Sequence, residues 1–168
     1  MRGRLTDRYL IALGSNVRVP GIGGPRRVVE AALAALEAEG LSIEVASPIV
    51  DSAPIGPSLR RYANAAAIVL TALPPPDALS VLHRIERAFG RRHRGQRWRS
   101  RPLDLDIVLW SGGAWAAPGL VIPHREFRRR AFVLTPATRI ARDWRDPVSG
   151  LRLLHLHARL TRPRPLPR

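Results

Sequence analysis

The sequence contains neither cysteine nor lysine. The absence of cysteine excludes a disulfide framework and every metal site that depends on thiolate ligands. The absence of lysine excludes a P-loop, because that motif uses a lysine to reach the phosphates of a nucleotide. The glycine-rich residues 21–24 (GIGG) are therefore interpreted as a loop that precedes a helix, and not as a phosphate-binding loop.

Long apolar runs are also missing. No stretch approaches the roughly 18 residues of a membrane span, and the basic N-terminus leads into no signal-peptide cleavage site. We therefore expect a cytoplasmic protein with no membrane partner. Its 168 residues, 45% of them hydrophobic, predict a single domain over residues 1–158. Residues 159–168 are rich in proline and arginine and are predicted to form a disordered tail.

Positive charge is abundant and comes from one residue type. All 28 basic residues are arginine, against 13 acidic residues, and the net charge is +15. A surplus of this size is typical of proteins that bind nucleic acid or another polyanion. A basic nucleic-acid-binding module is therefore an alternative to an enzyme, although it leaves the paired aspartates described below unexplained.

Hydrophobic periodicity divides the chain into strands and helices. Apolar runs that end at turn residues predict strands at 9–13, 41–50, 62–73 and 103–110. Helices are predicted from Pro25 to Gly40 and from a cap at Asp77 to Gly90, and residues 122–134 are expected to be partly helical. The order strand, helix, strand, strand, helix, strand predicts an α+β sandwich, with helices packed on one face of a mainly antiparallel sheet.

Two aspartates interrupt the last predicted strand. Side chains alternate along a strand, so Asp104 and Asp106 should share one face while Leu105 points to the other. Two ionised carboxylates so close together require cations, and the candidates are nearby arginines or Mg²⁺, which prefers carboxylate oxygen. The alternative is an exposed strand end whose aspartates are paired with arginine.

An arginine-rich segment precedes these aspartates. Residues 84–101 contain eight arginines, with Trp98 among them. Guanidinium groups suit phosphate oxygens, and arginines beside metal-binding carboxylates are typical of phosphoryl-type transfer. The alternative for each arginine is a solvated surface charge, which is the preferred interpretation of Arg87 and Arg94.

Two further segments carry polar or aromatic residues that suit a ligand. Asn64, in an otherwise apolar strand, can pair with the edge of a planar heterocycle, and Tyr62 could stack on it. His124, Arg130 and Phe132 could add two phosphate contacts and an aromatic wall. The alternatives are a structural Asn64 beside a core tyrosine, and a capping or buried His124.

Together these segments resemble the 6-hydroxymethyl-7,8-dihydropterin pyrophosphokinase family of folate biosynthesis. They follow the family's order and read YLIALGSN (9–16), SAPIGP (52–57), YANAA (62–66), IERAFGR (85–91), RWRSRPLDLDIVL (97–109) and PHREFRRRAFVL (123–134). The resemblance implies a ferredoxin-like α+β fold. It also implies transfer of the β,γ-pyrophosphoryl group of ATP to the pterin hydroxymethyl group, with release of AMP.

The resemblance further implies a role for each matching residue. Asp104 and Asp106 match the pair that holds two Mg²⁺ ions between enzyme and ATP, and with Arg91 and Arg101 they form the catalytic set. The ATP contacts match Glu86, Arg91, His93, Trp98, Arg101, Ile107, His124 and Arg130. The pterin pocket matches Ser52, Ile55, Tyr62, Asn64, Trp98 and Phe132, with the ring between Tyr62 and Phe132.

The arginine-rich segment departs from the family's pattern. Residues 99–102 read RSRP where the family usually has Gly-Pro-Arg-Thr, and His93 stands where an arginine is common. Pro102 lacks a backbone donor, and His93 carries less positive charge than arginine at pH 7. Both changes favour weaker binding of ATP by this segment.

Two further alternatives stay open. A nucleotidyltransferase also combines a Gly-Ser dipeptide with a D-x-D pattern, but its aspartates follow the dipeptide closely, whereas here they lie about 90 residues later. A non-catalytic relative of the family is the other. We expect a monomer or a weak dimer whose partners are ATP and the pterin, and no nucleic-acid partner.

Overall fold

The computed structural model describes residues 6–52, 61–90 and 102–163. Within these ranges the chain forms β1 (Asp7–Ser15), α1 (Pro25–Ala38), β2 (Ser42–Ala46), β3 (Val50–Ser52), β4 (Tyr62–Thr71), α2 (Pro75–Ala88), β5 (Asp104–Trp110), β6 (Trp115–Ala117), β7 (Leu120–Ile122), a 3₁₀ helix (Phe127–Arg129), α3 (Ala131–Ala141) and α4 (Leu153–Thr161). None of the helices in these ranges is both long and apolar enough to cross a membrane.

β1 lies inside a five-stranded antiparallel sheet. It pairs with β4 on one side and with β5 on the other, while β2 and β3 both pair with the far edge of β4. β6 and β7 form a separate hairpin. The chain order of these elements and the strand order β2-β4-β1-β5 are those of a ferredoxin-like sandwich, which confirms the predicted fold class.

Both faces of the sheet are buried. Tyr9, Ile11 and Leu13 of β1 pack with α1 and α2 in one hydrophobic cluster. Leu10 and Ala12 pack with α3 and α4 in a second cluster on the opposite face. The two predicted helices, α1 and α2, therefore lie on one face as expected, whereas the cover of the opposite face by α3 and α4 was not predicted. Strands that are apolar in both side-chain directions, such as YLIAL in β1, require a cover on each face.

Several element boundaries differ from the predicted ones. The strand predicted at 41–50 is two strands, β2 and β3, and the predicted connection after β5 contains the hairpin strand β6. Asp77 does not cap α2, which begins at Pro75 after Pro74. α4 continues to Thr161, so the chain is helical beyond the predicted start of the tail at residue 159. Residues 164–168 lie outside the described ranges.

β5 contains a bulge. Ile107 pairs with Ile11 and Leu109 pairs with Leu10, so Val108 is an extra residue in the ladder. Ile107 lies in the cluster of α1 and α2, whereas Val108 and Leu109 both lie in the cluster of α3 and α4. The side chains of β5 therefore alternate regularly between the two faces of the sheet both before and after the extra residue, Val108.

An ion pair between Arg128 and a buried carboxylate fixes the loop between α3 and α4. Arg128 donates two hydrogen bonds of 2.7 Å to the carboxylate of Asp146, which is fully buried. Ser149 and the amide of Val148 donate to the same carboxylate. Burial raises the pKa of Asp146, but the hydrogen bonds, that from Arg128 foremost, outweigh burial and lower the pKa to about 2. The carboxylate therefore stays charged and holds the 3₁₀ helix to this loop.

Candidate active site

One row of residues crosses four strands near the end of the sheet. Gly14 of β1 is the direct cross-strand partner of Asn64 in β4 and of Asp104 in β5, and Asn64 also pairs with Val50 of β3. Directly opposite residues present their side chains on the same face. The row therefore reads Val50, Asn64, Gly14, Asp104, and its third position has no side chain.

The neighbouring row identifies the face. Ala12 is opposite Ala66 on one side and opposite Asp106 on the other. Ala12 and Ala66 belong to the cluster of α3 and α4, whereas Leu105 belongs to the cluster of α1 and α2. Asp104 and Asp106 thus lie on the face of α3 and α4, on the same side of β5, as expected from side-chain alternation.

The side chains of His124 and Arg130 approach one oxygen of Asp106. Nε2 of His124 lies 3.8 Å from Oδ2 of Asp106, and a guanidinium nitrogen of Arg130 lies 3.9 Å from it. Nδ1 of His124 accepts a hydrogen bond of 3.2 Å from the amide of Glu126. A neutral His124 therefore carries its proton on Nε2, the nitrogen that faces Asp106. The amide of His124 donates to the carbonyl of Val108, which ties this segment to β5.

Two residues predicted to contact ATP lie on the other face of β5. Glu86 of α2 is fully buried, and its Oε1 accepts a hydrogen bond of 2.8 Å from the amide of Leu105. Ile107 is only 3% exposed and packs in the cluster of α1 and α2. The structure brings neither side chain to the face that carries Asp104 and Asp106. Both side chains instead hold β5 in place.

The opposite end of the row carries the residues predicted to bind a planar ring. Nδ2 of Asn64 donates a hydrogen bond of 3.0 Å to Oγ of Ser52. Ser52 is opposite Tyr62 in the pairing of β3 with β4. Asn64 is buried, and Tyr62 is half-buried beside it on the same face. The carboxamide is therefore oriented by a hydroxyl next to an aromatic ring.

Arg130 lies between the acidic and the aromatic parts of the site. The guanidinium carbon of Arg130 is 5.7 Å from the ring centroid of Phe132, and a nitrogen of the same guanidinium is 3.9 Å from Oδ2 of Asp106. Phe132 packs against the cluster of α3 and α4, on the face that carries Asn64 and Asp104. The start of α3 therefore brings a cation and an aromatic ring to this face of the sheet.

A family model described as 7,8-dihydro-6-hydroxymethylpterin-pyrophosphokinase matches residues 10–142. This range includes the whole row and both neighbours of Asp106, His124 and Arg130. The chain belongs to this pyrophosphokinase family.

Individual relatives agree with this membership. A 2-amino-4-hydroxy-6-hydroxymethyldihydropteridine pyrophosphokinase of Pseudomonas aeruginosa is 40% identical over 145 residues, which cover 85% of this chain and 86% of the relative. The protein of the same name from Synechocystis sp. is 34% identical over 147 residues, 88% of this chain and 73% of the relative.

A solved structure supports the fold. The match to Plasmodium falciparum HPPK-DHPS, wild type with SDX-DHP, has a TM-score of 0.68 at 11% sequence identity. It covers 92% of this chain and 44% of that chain, so the protein spans less than half the length of this structural neighbour.

Membership confirms the family predicted from the sequence. It also confirms the prediction of an enzyme, a pyrophosphokinase of folate biosynthesis, and a nucleic-acid-binding module is not favoured. The family uses ATP and typically Mg²⁺.

The acidic end of the row has the chemistry to bind a cation that is shared with a phosphate-bearing ligand. In the described ranges, no group of three or more His, Asp or Glu side chains could hold a metal ion. Asp104 and Asp106 are two partly exposed carboxylates on one face. Mg²⁺ prefers such oxygens and usually completes its coordination with water and substrate phosphates. The pair therefore suits Mg²⁺ that binds together with a nucleotide.

Part of the predicted site lies outside the described ranges, namely Ile55, Arg91, His93, Trp98 and Arg101. The prediction from the sequence also missed Gly14, which lies between Asn64 and Asp104, and Ala12, which lies between Ala66 and Asp106. The sequence does contain a signal for Gly14. Residues 14–16 (GSN) were interpreted as a turn after the strand, but Gly14 and Ser15 belong to β1, so the glycine lies within a strand. A glycine within a strand often marks a close approach of another group.

Proposed function

We propose that the protein transfers the β,γ-pyrophosphoryl group of ATP to the hydroxymethyl group of 6-hydroxymethyl-7,8-dihydropterin and releases AMP. The row across the sheet carries this proposal, because Gly14 alone separates Asn64, which suits a heterocycle, from Asp104, which suits a cation and its phosphate. Neighbouring strands are roughly 4.8 Å apart, so the backbones at Asn64 and Asp104 are about 10 Å apart. An acceptor held at one end can reach a phosphate held at the other.

The acidic end of the row is proposed to receive the triphosphate. Asp104 and Asp106 would hold two Mg²⁺ ions, which when bound supply positive charge to the phosphate oxygens. Nε2 of His124 and the guanidinium of Arg130 are N–H donors that suit phosphate oxygen, and both already lie beside Asp106. These residues would orient the β-phosphate toward the acceptor.

Further phosphate contacts are assigned from the family motif. Arg91 and Arg101 would stabilise the negative charge that develops on AMP as the bond between the α- and β-phosphates breaks. His93 and Trp98 belong to the same segment and would contact the nucleotide, and Trp98 also the pterin. Glu86 and Ile107 are proposed to act on ATP only through the backbone of β5.

The aromatic end of the row is proposed to receive the pterin. The carboxamide of Asn64 offers both a donor and an acceptor to the edge of the heterocycle, in an orientation set by Ser52. Tyr62 and Phe132 would supply the two aromatic walls, and Ile55 completes the pocket by its match to the family motif. We propose a cytoplasmic enzyme that works as a monomer or weak dimer with these two substrates.

Incubation with ATP, Mg²⁺ and 6-hydroxymethyl-7,8-dihydropterin tests the proposal. The expected products are AMP and a pterin that carries a pyrophosphate group, in equal amounts. The Asp104→Asn variant, assayed in parallel, should form neither product above background. Formation of ADP, or no dependence on the pterin, would contradict pyrophosphoryl transfer.

A further inference from the structure

Gly14 lies where the two halves of the proposed site meet. It is opposite Asn64 on one side and Asp104 on the other. It has the extended backbone of β1 and is not one of the glycines with a positive φ. Its backbone conformation is therefore available to any residue, and what distinguishes the position is the space above its Cα.

That space is limited by the carboxamide of Asn64. A Cβ placed on Gly14 would lie 3.1 Å from Oδ1 of Asn64. The contact is a few tenths of an ångström closer than ordinary van der Waals separation, so one of the two groups would have to move. The space beside Gly14 is therefore bounded by the carboxamide that the proposed function assigns to the pterin.

The carboxamide has little freedom to yield. Asn64 is 4% exposed, and its Nδ2 is bonded at 3.0 Å to Oγ of Ser52 on the side away from Gly14. Pushing Oδ1 away from β1 would rotate or shift an amide whose other end is fixed. Hydrogen bonds weaken steeply when their geometry is lost.

We propose that Gly14 is a positioning residue for pterin specificity, acting through Asn64: the missing side chain lets the carboxamide lie against β1 in the orientation that reads the heterocycle. This inference rests on the proposed function, because it assumes that Asn64 contacts the pterin. Gly14 itself makes no side-chain contact with either substrate.

The Gly14→Ala variant tests the inference. We expect kcat/KM for the pterin to fall about ten- to hundred-fold, the usual effect of misplacing one hydrogen bond to a buried polar group. Binding of a non-hydrolysable ATP analogue with Mg²⁺ should stay within two-fold of wild type. The matched control is Gly24→Ala, because a Cβ at Gly24 meets no atom within 4 Å; its pterin kinetics should equal those of wild type.

A double-mutant cycle separates this mechanism from general damage. If the added methyl group acts by displacing the carboxamide of Asn64, then Gly14→Ala should change kcat/KM by less than two-fold in an Asn64→Ala background. Thermal unfolding of each variant reports whether the fold is intact.

The outcomes distinguish the two proposals. A wild-type chain that forms no AMP overturns the proposed function and this inference with it. An active wild type with unchanged pterin kinetics in Gly14→Ala overturns this inference alone. Equal losses of pterin and nucleotide binding, or fully additive effects in the cycle, also overturn it.

Discussion

Oε1 of Glu86 accepts a hydrogen bond of 2.8 Å from the amide of Leu105, the residue between Asp104 and Asp106. The bond ties α2 to β5 at the point where β5 presents both carboxylates. Burial of a carboxylate carries a free-energy cost, and here the buried group fixes the backbone that separates the two aspartates. The position of the acidic pair thus depends on a residue of the opposite face.

Replacement of Glu86 should therefore reduce stability in a graded way. Glu86→Ala removes the acceptor of a buried amide and leaves a cavity, and we expect the free energy of unfolding to fall by about 2–4 kcal/mol. Glu86→Gln keeps a side-chain oxygen that can accept from the amide of Leu105, and its free energy of unfolding should fall by less than half as much. Urea denaturation at pH 7 measures both, and equal losses would show that the bond to Leu105 contributes nothing.

Loss of one carboxylate should abolish most of the activity without unfolding the protein. For Asp106→Asn we expect turnover to fall about 100-fold or more, because the amide is a much weaker ligand for Mg²⁺ and loses its attraction for His124 and Arg130. AMP formation at saturating ATP measures the effect. Asp143→Asn is the control, since Asp143 is an exposed partner of Arg152, and a comparable loss there would argue against a specific role for Asp106.

The hydroxyl of Ser52 should matter for the pterin and not for ATP. Ser52→Ala removes the acceptor of Nδ2 of Asn64, so we expect the KM for the pterin to rise about ten-fold. Steady-state kinetics with each substrate varied in turn separates the two effects. Ser80→Ala is the matched control, because the hydroxyl of Ser80 donates to the carbonyl of Pro76 within α2. A rise in the KM for ATP alone would refute this role.

The ion pair of Arg128 with the buried carboxylate of Asp146 predicts a specific acid sensitivity. The pKa of Asp146 is lowered from 3.8 to about 2 in the folded protein, so its contribution to stability is present above pH 4 and is lost as the pH falls through about 2. The lowered pKa corresponds to about 2 kcal/mol of stability at neutral pH. Asp146→Asn should therefore be less stable than wild type at pH 7, with a smaller difference near pH 2. Denaturant titrations at both pH values measure this, and a difference independent of pH would contradict it.

The sequence predicted the elements whose patterns are local and regular. β1, β4 and β5 are apolar runs, and α1 and α2 repeat apolar residues at helical spacing. The same local rule placed Asp104 and Asp106 on one side of β5 and Leu105 on the other, because alternation does not depend on the rest of the fold.

The remaining features depend on contacts between distant segments. Gly14 gains its role only from its pairing with Asn64 and Asp104, and no local pattern encodes that pairing. The hairpin of β6 and β7 was missed because strands of three residues show too little alternation. The burial of Glu86 likewise follows from the packing of α2 against β5, which the charge of the residue does not reveal.

The bulge at Val108 joins core packing and the site at a single residue. Removing Val108 would leave Ile107 opposite Ile11 and Leu109 opposite Leu10, so the strand pairing could be kept, but a side chain that is 1% exposed would be lost from the cluster of α3 and α4. The carbonyl lost with Val108 is also the acceptor for the amide of His124. A one-residue deletion here would therefore weaken the core and release the segment that carries the imidazole in one event, so that stability and catalysis are inherited together at this irregularity.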